Sequence, residues 1–242
     1  MRRPATVPEP FANAAAPPAP SRFLAPQFET MGAQLDTSKL GLWLFLASEV
    51  LFFSGLFTAY GVYRANHRDL FAYAHFFLDW RMGALNTVVL ICSSLSAAWS
   101  VRCAQMGQRR GLMTSVGITF LLAAAFMVVK YFEYSHKLHN GVGWGASCHP
   151  SREILSELPA AMRALPVPER LGTFFSVYYV MTGLHGIHVL VGMGLYAWIF
   201  ARAWRGDFGP GYFGPVDMVA LYWHLVDMIW IFLFPLFYLI SQ

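Results

Sequence analysis

Five long stretches of this chain contain almost no charged residues, and each is long enough to cross a membrane as a helix. They cover residues 40–63, 82–101, 112–134, 172–200 and 216–240. A transmembrane helix needs about 20 mostly apolar residues. Only 12% of the chain is charged, about half of the roughly 25% found in soluble domains. The sequence therefore predicts an all-α integral membrane protein, a bundle of five transmembrane helices.

The remaining segments predict two further regions. Residues 1–38 are rich in Pro and Ala, so we expect a largely disordered N-terminal tail. It ends at Asp36-Thr-Ser-Lys, and Asp, Thr and Ser commonly cap the N-terminus of a helix. We therefore expect the first helix of a membrane domain at 39–242 to begin there. Residues 135–171 form a long connector on the outer side, with a short helical pattern between Glu153 and Leu165.

The formal net charge is +4, and the basic residues are spread over loops and helix ends. This distribution predicts membrane topology and excludes a nucleic-acid-binding protein. The bias of basic residues favours an N-terminus on the inside of a bacterial cytoplasmic membrane. The three cysteines form no metal-binding, haem-attachment or disulfide pattern.

Five ionisable residues lie deep inside the predicted spans, away from the span ends. Ionisable side chains are costly in a bilayer, so they usually face the bundle interior. With the N-terminus inside, they lie at a similar depth on three helices, which predicts one buried polar network. The residues are Glu49 on span one, His185 and His188 on span four, and His224 and Asp227 on span five.

Packing features accompany two of these spans. On span one, a stripe of Phe45, Glu49, Phe52 and Leu56 faces one direction and predicts that Glu49 points into the bundle. On span four, Gly183 and Gly186 predict a close approach by another helix. Span two carries many small and hydroxyl side chains, which indicate an interior packing helix.

The chemistry of the network is open at this point. Histidines and carboxylates are ligands that divalent metals accept, but the Glu-x-x-His helices of di-iron bundles are missing. A haem would need facing histidines and a roomy slot. A structural core and a proton relay through Glu49, His224 and Asp227 are further readings, the relay implying a transporter or proton channel.

A second charged group closes span three. Lys130 and Lys137 are three and four residues from Glu133, which is the spacing of helical ion pairs. We expect an interfacial ion-pair cluster whose side chains snorkel toward water.

Five motifs together make the chain similar to subunit III of the haem-copper oxidases, in its short five-helix form. The resemblance covers residues 38–240. The motifs are Leu42-Trp-Leu-Phe-Leu-Ala-Ser-Glu49-Val-Leu-Phe-Phe, Asn86-Thr with its serine-rich run, Lys130-Tyr-Phe-Glu133-Tyr134, Thr182-Gly-Leu-His185-Gly-Ile-His188-Val, and Tyr222-Trp-His224-Leu-Val-Asp227-Met-Ile-Trp230.

The resemblance implies an accessory, non-catalytic subunit without haem, copper or any catalytic residue of its own. Its partners would be the catalytic subunit I and other oxidase subunits, which hold the haem and copper, together with bound phospholipid. Glu49 matches a carboxyl known in the family to react with carbodiimide, and the subunit is associated with proton uptake. His185, His188, His224 and Asp227 carry over as signature polar residues.

Two alternatives accompany this interpretation. One is a quinol-oxidase or nitric-oxide-reductase-associated relative of the same family, and the other is the transporter or channel. The chain also departs from the longest family members, which have seven spans, because it lacks the first two. The long connector and the Pro-rich tail are not part of the family pattern.

Overall fold

The computed structural model describes residues 22–240, which are mostly helical. Five of the helices are long and apolar enough to cross a membrane: α1, α3, α4, α7 and α8 in the numbering below. Within the described residues, the predicted all-α bundle of five transmembrane helices is thus confirmed. The elements are α1 (Met31–Asn66), α2 (Arg68–Ala74), α3 (Trp80–Gln105), α4 (Arg109–His139), α5 (Arg152–Glu157), α6 (Ala160–Arg163), α7 (Leu171–Arg205) and α8 (Gly214–Tyr238).

The first helix begins earlier than the sequence predicts. Thr30 caps α1, its hydroxyl accepting a hydrogen bond from the Ala33 amide at 3.1 Å. The predicted cap at residues 36–38 is therefore wrong, and that part of the expected tail is helical. Lys39, in the third turn, pairs with Asp217 of α8 at 2.7 Å, so polar contacts extend the helix beyond its apolar segment. Residues 1–21 of the expected tail lie outside the described residues.

The connector between the third and fourth spans is shorter than predicted because the helices on both sides are longer. α4 continues to His139 and α7 starts at Leu171. The connector contains the short helices α5 and α6, and these lie within the expected helical pattern. Gly141 adopts a left-handed conformation with φ +73°, which is the usual way to end a helix such as α4.

Four helices form the centre of the bundle. α4 packs against α3 and α7, and α8 also packs against α3 and α7, so the four close a ring. α1 lies outside this ring, mainly against α8. The interior of the ring is filled by large aromatic side chains, including Trp223, Trp230 and Tyr178, which are fully buried.

α1 touches the bundle along a narrow stripe. Its buried residues are Leu46, Phe53 and Tyr60, each seven positions apart. Glu49 lies on the same side of the helix, as predicted. However, Phe45 and Phe52 are 44% and 46% exposed, so the predicted stripe was placed about one position away from the true one.

Small residues on α3 and α7 set the closest helix contacts. The Trp223 and Trp230 indoles donate hydrogen bonds to Ser93 at 3.0 Å and Thr87 at 3.1 Å, which agrees with α3 as an interior packing helix. On α7, a Cβ at Gly192 would lie 2.6 Å from the Trp223 ring.

The close approach predicted at two other glycines of α7 does not occur. A Cβ at Gly183 or Gly186 would meet nothing within 4 Å. The prediction was wrong because both glycines sit away from the tight α7–α8 contact, which Gly192 makes two turns farther along the helix.

Candidate functional site

Two of the predicted site residues meet across α1 and α7. Nε2 of His188 lies 3.0 Å from Oε2 of Glu49, and the two side chains are only 20% and 18% exposed. His188 is the middle residue of α7, and Glu49 is at the middle of α1. The contact therefore lies near the centre of the membrane-spanning segments, where a lone charge is unfavourable.

The hydrogen bonds of His188 fix how many protons this pair holds. Its Nδ1 is 2.8 Å from the Leu184 carbonyl oxygen, which can only accept, so Nδ1 carries a hydrogen. The contact between Nε2 and Glu49 then needs one more proton, bound either to the carboxyl or to the ring. The pair is thus a neutral acid beside a neutral imidazole or a carboxylate beside an imidazolium. Both forms have no net charge and differ only in the position of one proton.

Aromatic residues hold this pair in place. The Phe53 ring meets the His188 ring edge to face at 5.2 Å. The Tyr222 hydroxyl of α8 donates to the His188 carbonyl oxygen at 3.0 Å. Glu49 and His188 are therefore positioned by residues from α1 and α8.

His185 lies apart from this pair although it is only one turn away on α7. It is fully buried, with Phe126 and Trp230 at ring distances of 5.6 and 5.3 Å. Neither ring nitrogen has a hydrogen-bond partner among the described residues. His185 therefore packs as an aromatic side chain within the ring of four helices.

The expected pairing of His224 with Asp227 does not form. Nδ1 of His224 lies 2.6 Å from the Ser94 hydroxyl of α3. Asp227 is buried. Its carboxyl oxygens make no hydrogen bond of normal geometry within the described part of the chain, although the Ser94 hydroxyl lies close to them. Residues three apart on a helix point about 60° away from each other, so Ser94 can meet His224 without bringing His224 and Asp227 together.

The five predicted residues therefore do not form one hydrogen-bonded network within residues 22–240. The sequence places them at a similar depth, but depth alone does not decide which way each side chain points. The structure brings together Glu49 and His188 and keeps the other three residues apart from that pair. Ser94 was missed as the partner of His224 because its span is rich in hydroxyl residues with nothing to single one out.

A second polar centre lies toward one end of the bundle. Glu133 accepts hydrogen bonds from Lys130 at 2.8 Å and from Lys137 at 2.6 Å. It also accepts from the hydroxyls of Tyr178 at 2.8 Å and Tyr238 at 2.6 Å. One carboxylate thus ties together α4, α7 and α8.

This cluster is buried, which corrects the prediction that its side chains snorkel toward water. Lys130, Glu133 and Lys137 are 6%, 6% and 3% exposed. The two tyrosine hydroxyls also accept from Lys130, at 3.1 and 3.0 Å. These tyrosines give the lysine the contacts that water would otherwise supply. Sequence reasoning missed them because each lies in a run that reads simply as aromatic and apolar.

An open cleft separates part of α1 from α8. It has a volume of about 640 Å³ and is lined mainly by apolar side chains, with Arg64 at one end. A neighbouring cavity of about 670 Å³ shares Gly61 and Arg64 and adds Arg68 and Asp69. Together they form an apolar slot that ends in two arginines.

The polar residues of the bundle include side chains of the types that bind metal ions. Across residues 22–240, no three His, Cys, Asp or Glu side chains converge in a way that would hold a metal ion. The Glu49–His188 pair supplies two such groups.

Comparison with known proteins agrees with these features. The model of the family described as cytochrome c oxidase subunit III matches residues 29–140 and 170–242. The unmatched segment between them is the connector that carries α5 and α6.

Individual relatives match over most of the chain. A probable cytochrome c oxidase subunit 3 of Nocardia farcinica is 29% identical over 201 residues, covering 83% of this chain and 87% of that protein. The cytochrome c oxidase subunit 3 of Thermostichus vulcanus is 30% identical over 212 residues, 86% of this chain and 89% of its own length. A heme-copper oxidase subunit I+III of Aeropyrum pernix is 29% identical over 215 residues, 85% of this chain and 23% of that longer protein.

Proposed function

Because the chain belongs to the cytochrome c oxidase subunit III family, we propose that it acts as the accessory subunit of a respiratory terminal oxidase. In this role it packs against the catalytic subunit, stabilises it and supports its proton uptake. The family match supports the assembly. The observation that carries the functional role is the Glu49–His188 pair, which holds one movable proton at the middle of two transmembrane helices.

Subunit I is the proposed direct partner, and the haem and copper of the complex reside in partner subunits. The Aeropyrum pernix relative supports this partner, since its name joins subunits I and III. Two subunits joined in one chain stay close together, so contact between them needs no separate encounter. The present chain would make the same contact as a separate subunit.

The proposed proton role follows from the single proton that Glu49 and His188 share in their hydrogen bond. Moving that proton from the carboxyl to the ring changes the position of charge without changing its sum. Such a pair can shift its proton between the two side chains when a neighbouring charge changes, without placing a net charge in the membrane. We assign Glu49 as the proton-holding group and His188 as its positioning partner.

Phospholipid is the proposed occupant of the cleft between α1 and α8. The apolar walls fit an acyl chain, and Arg64 with Arg68 at the open end fits a phosphate group. A lipid there would fill the space beside α1, whose contact with the bundle is narrow.

The proposed location is a bacterial cytoplasmic membrane with the N-terminus inside. Basic residues on that side support this topology. They are Arg22, Lys39, Arg102, Arg109, Arg110, Arg202 and Arg205. The opposite side carries Arg64, Arg68, Arg81, Arg152, Arg163 and Arg170. Lys130 and Lys137 are buried there against Glu133, so they add little to the loop charge that sets topology.

The alternatives are not favoured. A transporter is commonly built with discontinuous helices near its binding site, whereas α1, α3, α4, α7 and α8 each run without a break from end to end. The matching relatives carry oxidase subunit names, which disfavours the channel and the other members of the wider family.

The proposed support of the catalytic subunit is tested by removing this chain from the purified oxidase. We expect a similar initial rate of oxygen consumption, followed by faster loss of activity during turnover. Adding the chain back should restore the wild-type lifetime, while the Glu49→Gln chain should restore it only in part. An oxidase that keeps its full lifetime and proton uptake without this chain would contradict the proposed function.

A further inference from the structure

A pocket separate from the slot between α1 and α8 lies at the end of the bundle that holds the Glu133 cluster. It has a volume of about 520 Å³, and its lining comes from the turn before α3, the start of α3, the end of α4, and α5 of the connector. Glu133 and Lys137 of the buried cluster are part of that lining. The family model matches residues 29–140 and 170–242, so the wall that α5 supplies lies outside the family match.

The two lysines of the cluster differ in how many of their N–H groups are used. An ammonium group has three N–H donors. Nζ of Lys130 donates to Glu133 at 2.8 Å. It also donates to the hydroxyls of Tyr178 at 3.1 Å and Tyr238 at 3.0 Å, so all three of its donors have an acceptor. Among the described residues, Nζ of Lys137 donates only to Glu133, at 2.6 Å. Two N–H groups of Lys137 are therefore left without an acceptor.

The buried cluster also has an excess of positive charge. Lys130 and Lys137 each carry a positive charge, and Glu133 supplies one negative charge. Lys137 is only 3% exposed, and a buried ammonium costs free energy unless it is paired and hydrogen-bonded. The floor of the pocket therefore favours a ligand with a negative group that accepts hydrogen bonds.

The rim of the same pocket has the opposite charge. Asp79 and Glu157 are exposed and line it. One oxygen of Asp79 caps α3 by accepting from the Arg81 amide at 2.8 Å. Within residues 22–240, neither carboxylate forms an ion pair. The rim therefore favours a positive group that lies above the negative one.

The depth and the walls of the pocket suit a lipid. α4 has 31 residues, or about 46 Å at 1.5 Å per residue, so its ends extend beyond a hydrocarbon core about 30 Å thick. Lys137 is in the last turn of α4 and thus at headgroup depth. Met82 of α3 and Phe132 of α4 line the pocket and are 41% and 61% exposed. The pocket therefore opens onto the apolar outer surface of these two helices.

We propose that this pocket binds the headgroup of a zwitterionic phospholipid, one with an ethanolamine group. The phosphate oxygens accept from Lys137, and the ammonium group donates to Asp79 and Glu157. The acyl chains lie along Met82 and Phe132. A glycerol headgroup would leave the two carboxylates unpaired, and a choline headgroup has no N–H to donate to them. The site does not depend on the oxidase assignment, so the failure of one leaves the other intact.

The experiment uses an ethanolamine phospholipid with a photoreactive group near the start of one acyl chain. The complex purified through a tag on this chain is placed in nanodiscs with this probe and illuminated, and mass spectrometry measures the labelling of peptides that contain Met82 or Phe132. Unlabelled ethanolamine, choline and glycerol phospholipids with the same acyl chains then compete with the probe. We expect the ethanolamine lipid to compete about fivefold better than the glycerol lipid, the range for exposed charge pairs.

Substitutions at the rim test the headgroup contacts without disturbing the buried cluster. The double variant Asp79→Asn with Glu157→Gln removes both charges, keeps the side-chain sizes, and leaves an Asn that can still cap α3. We expect it to lower labelling of the pocket about fivefold and to abolish the preference for ethanolamine over glycerol. Glu153→Gln is the matched control, because Glu153 is exposed on the same helix α5 and does not line the pocket. It should leave labelling unchanged.

Equal competition by the three lipids, or equal labelling of the double variant and the wild type, would overturn the proposal. Labelling of peptides near Arg64 without labelling at Met82 or Phe132 would also overturn it, while leaving lipid in the slot between α1 and α8. Lys137→Met tests the phosphate contact and leaves Lys130 and Glu133 with balanced charges. Its unfolding is measured in parallel. A folded Lys137→Met chain labelled as strongly as the wild type would contradict the assigned role of Lys137, and the double variant decides the outcome if Lys137→Met does not fold.

Discussion

Oε2 of Glu49 on α1 lies 3.0 Å from Nε2 of His188 on α7, while the other nitrogen of that ring is bonded to the Leu184 carbonyl. This arrangement allows one proton between the two side chains. It also joins α1 to the ring of four helices at the centre of the membrane, where few other polar contacts reach α1. The contact therefore has a structural role beside the proton-holding role that we propose for it.

Glu49→Gln tests the proton of this pair. The Gln amide can donate to Nε2 and keep the contact, so we expect the complex to assemble and the free energy of unfolding to change by about 1 kcal/mol or less. A hydrophobic carbodiimide should no longer react at this position. Peptide mass spectrometry detects the modification. As a control, Glu153→Gln on exposed α5 should leave the reaction of Glu49 unchanged. If the carbodiimide does not modify Glu49 in the wild-type protein, the proposed proton-holding role of Glu49 is wrong.

Glu133→Gln tests the buried cluster. The substitution leaves Lys130 and Lys137 buried without their counter-charge, so we expect a loss of about 3 to 5 kcal/mol in the free energy of unfolding. Unfolding in detergent followed by circular dichroism measures this loss. The exposed Glu153→Gln should change stability by about 0.5 kcal/mol or less. If both variants unfold alike, the cluster does not hold α4, α7 and α8 together.

Gly192→Ala tests the closest approach of α7 and α8. The added Cβ would lie 2.6 Å from the Trp223 ring, and overpacking of this kind costs about 1 to 3 kcal/mol. Gly194→Ala is the matched control, because a Cβ at that position meets nothing within 4 Å. Thermal unfolding should separate the two variants. Equal stability would show that the contact relaxes without cost.

We expect the free energy of unfolding to depend on pH through His75, which lies in the turn between α2 and α3. Burial lowers the pKa of His75 below its ordinary value, which is about 6.5. The unfolded chain therefore binds a proton more readily than the folded chain, and this contribution is complete above about pH 6.5 and is lost as the pH falls. Thermal unfolding from pH 7.5 to 5 should show a smaller decline for His75→Gln than for wild type. Parallel curves would contradict the assignment.

The sequence predicted the membrane helices well because their apolar length is a property of single stretches. Glu49 was also placed correctly, since a carboxyl in a span has few options besides the bundle interior. Side-chain partners were predicted less well. His224 and Asp227 point in different directions around α8, and which one meets α3 depends on how the helices are rotated. That rotation is set by the packing of Trp223 against Gly192 and Ser93, which no local pattern reveals.

The buried cluster illustrates the same limit. The spacing of Lys130, Glu133 and Lys137 predicted the ion pairs, because a helix brings these positions together. Their burial depended on Tyr178 and Tyr238 arriving from two other helices with hydroxyl groups in place of water. A contact of this kind is defined only by the assembled bundle.

Metal and haem content of the complex purified through this chain tests the central claim most directly. We expect haem and copper to co-purify in a fixed ratio to the tagged chain and to remain with the partner subunits when the chain is dissociated. A chain that purifies from its own membranes without haem or copper, or that keeps either one after the partners are removed, would contradict it.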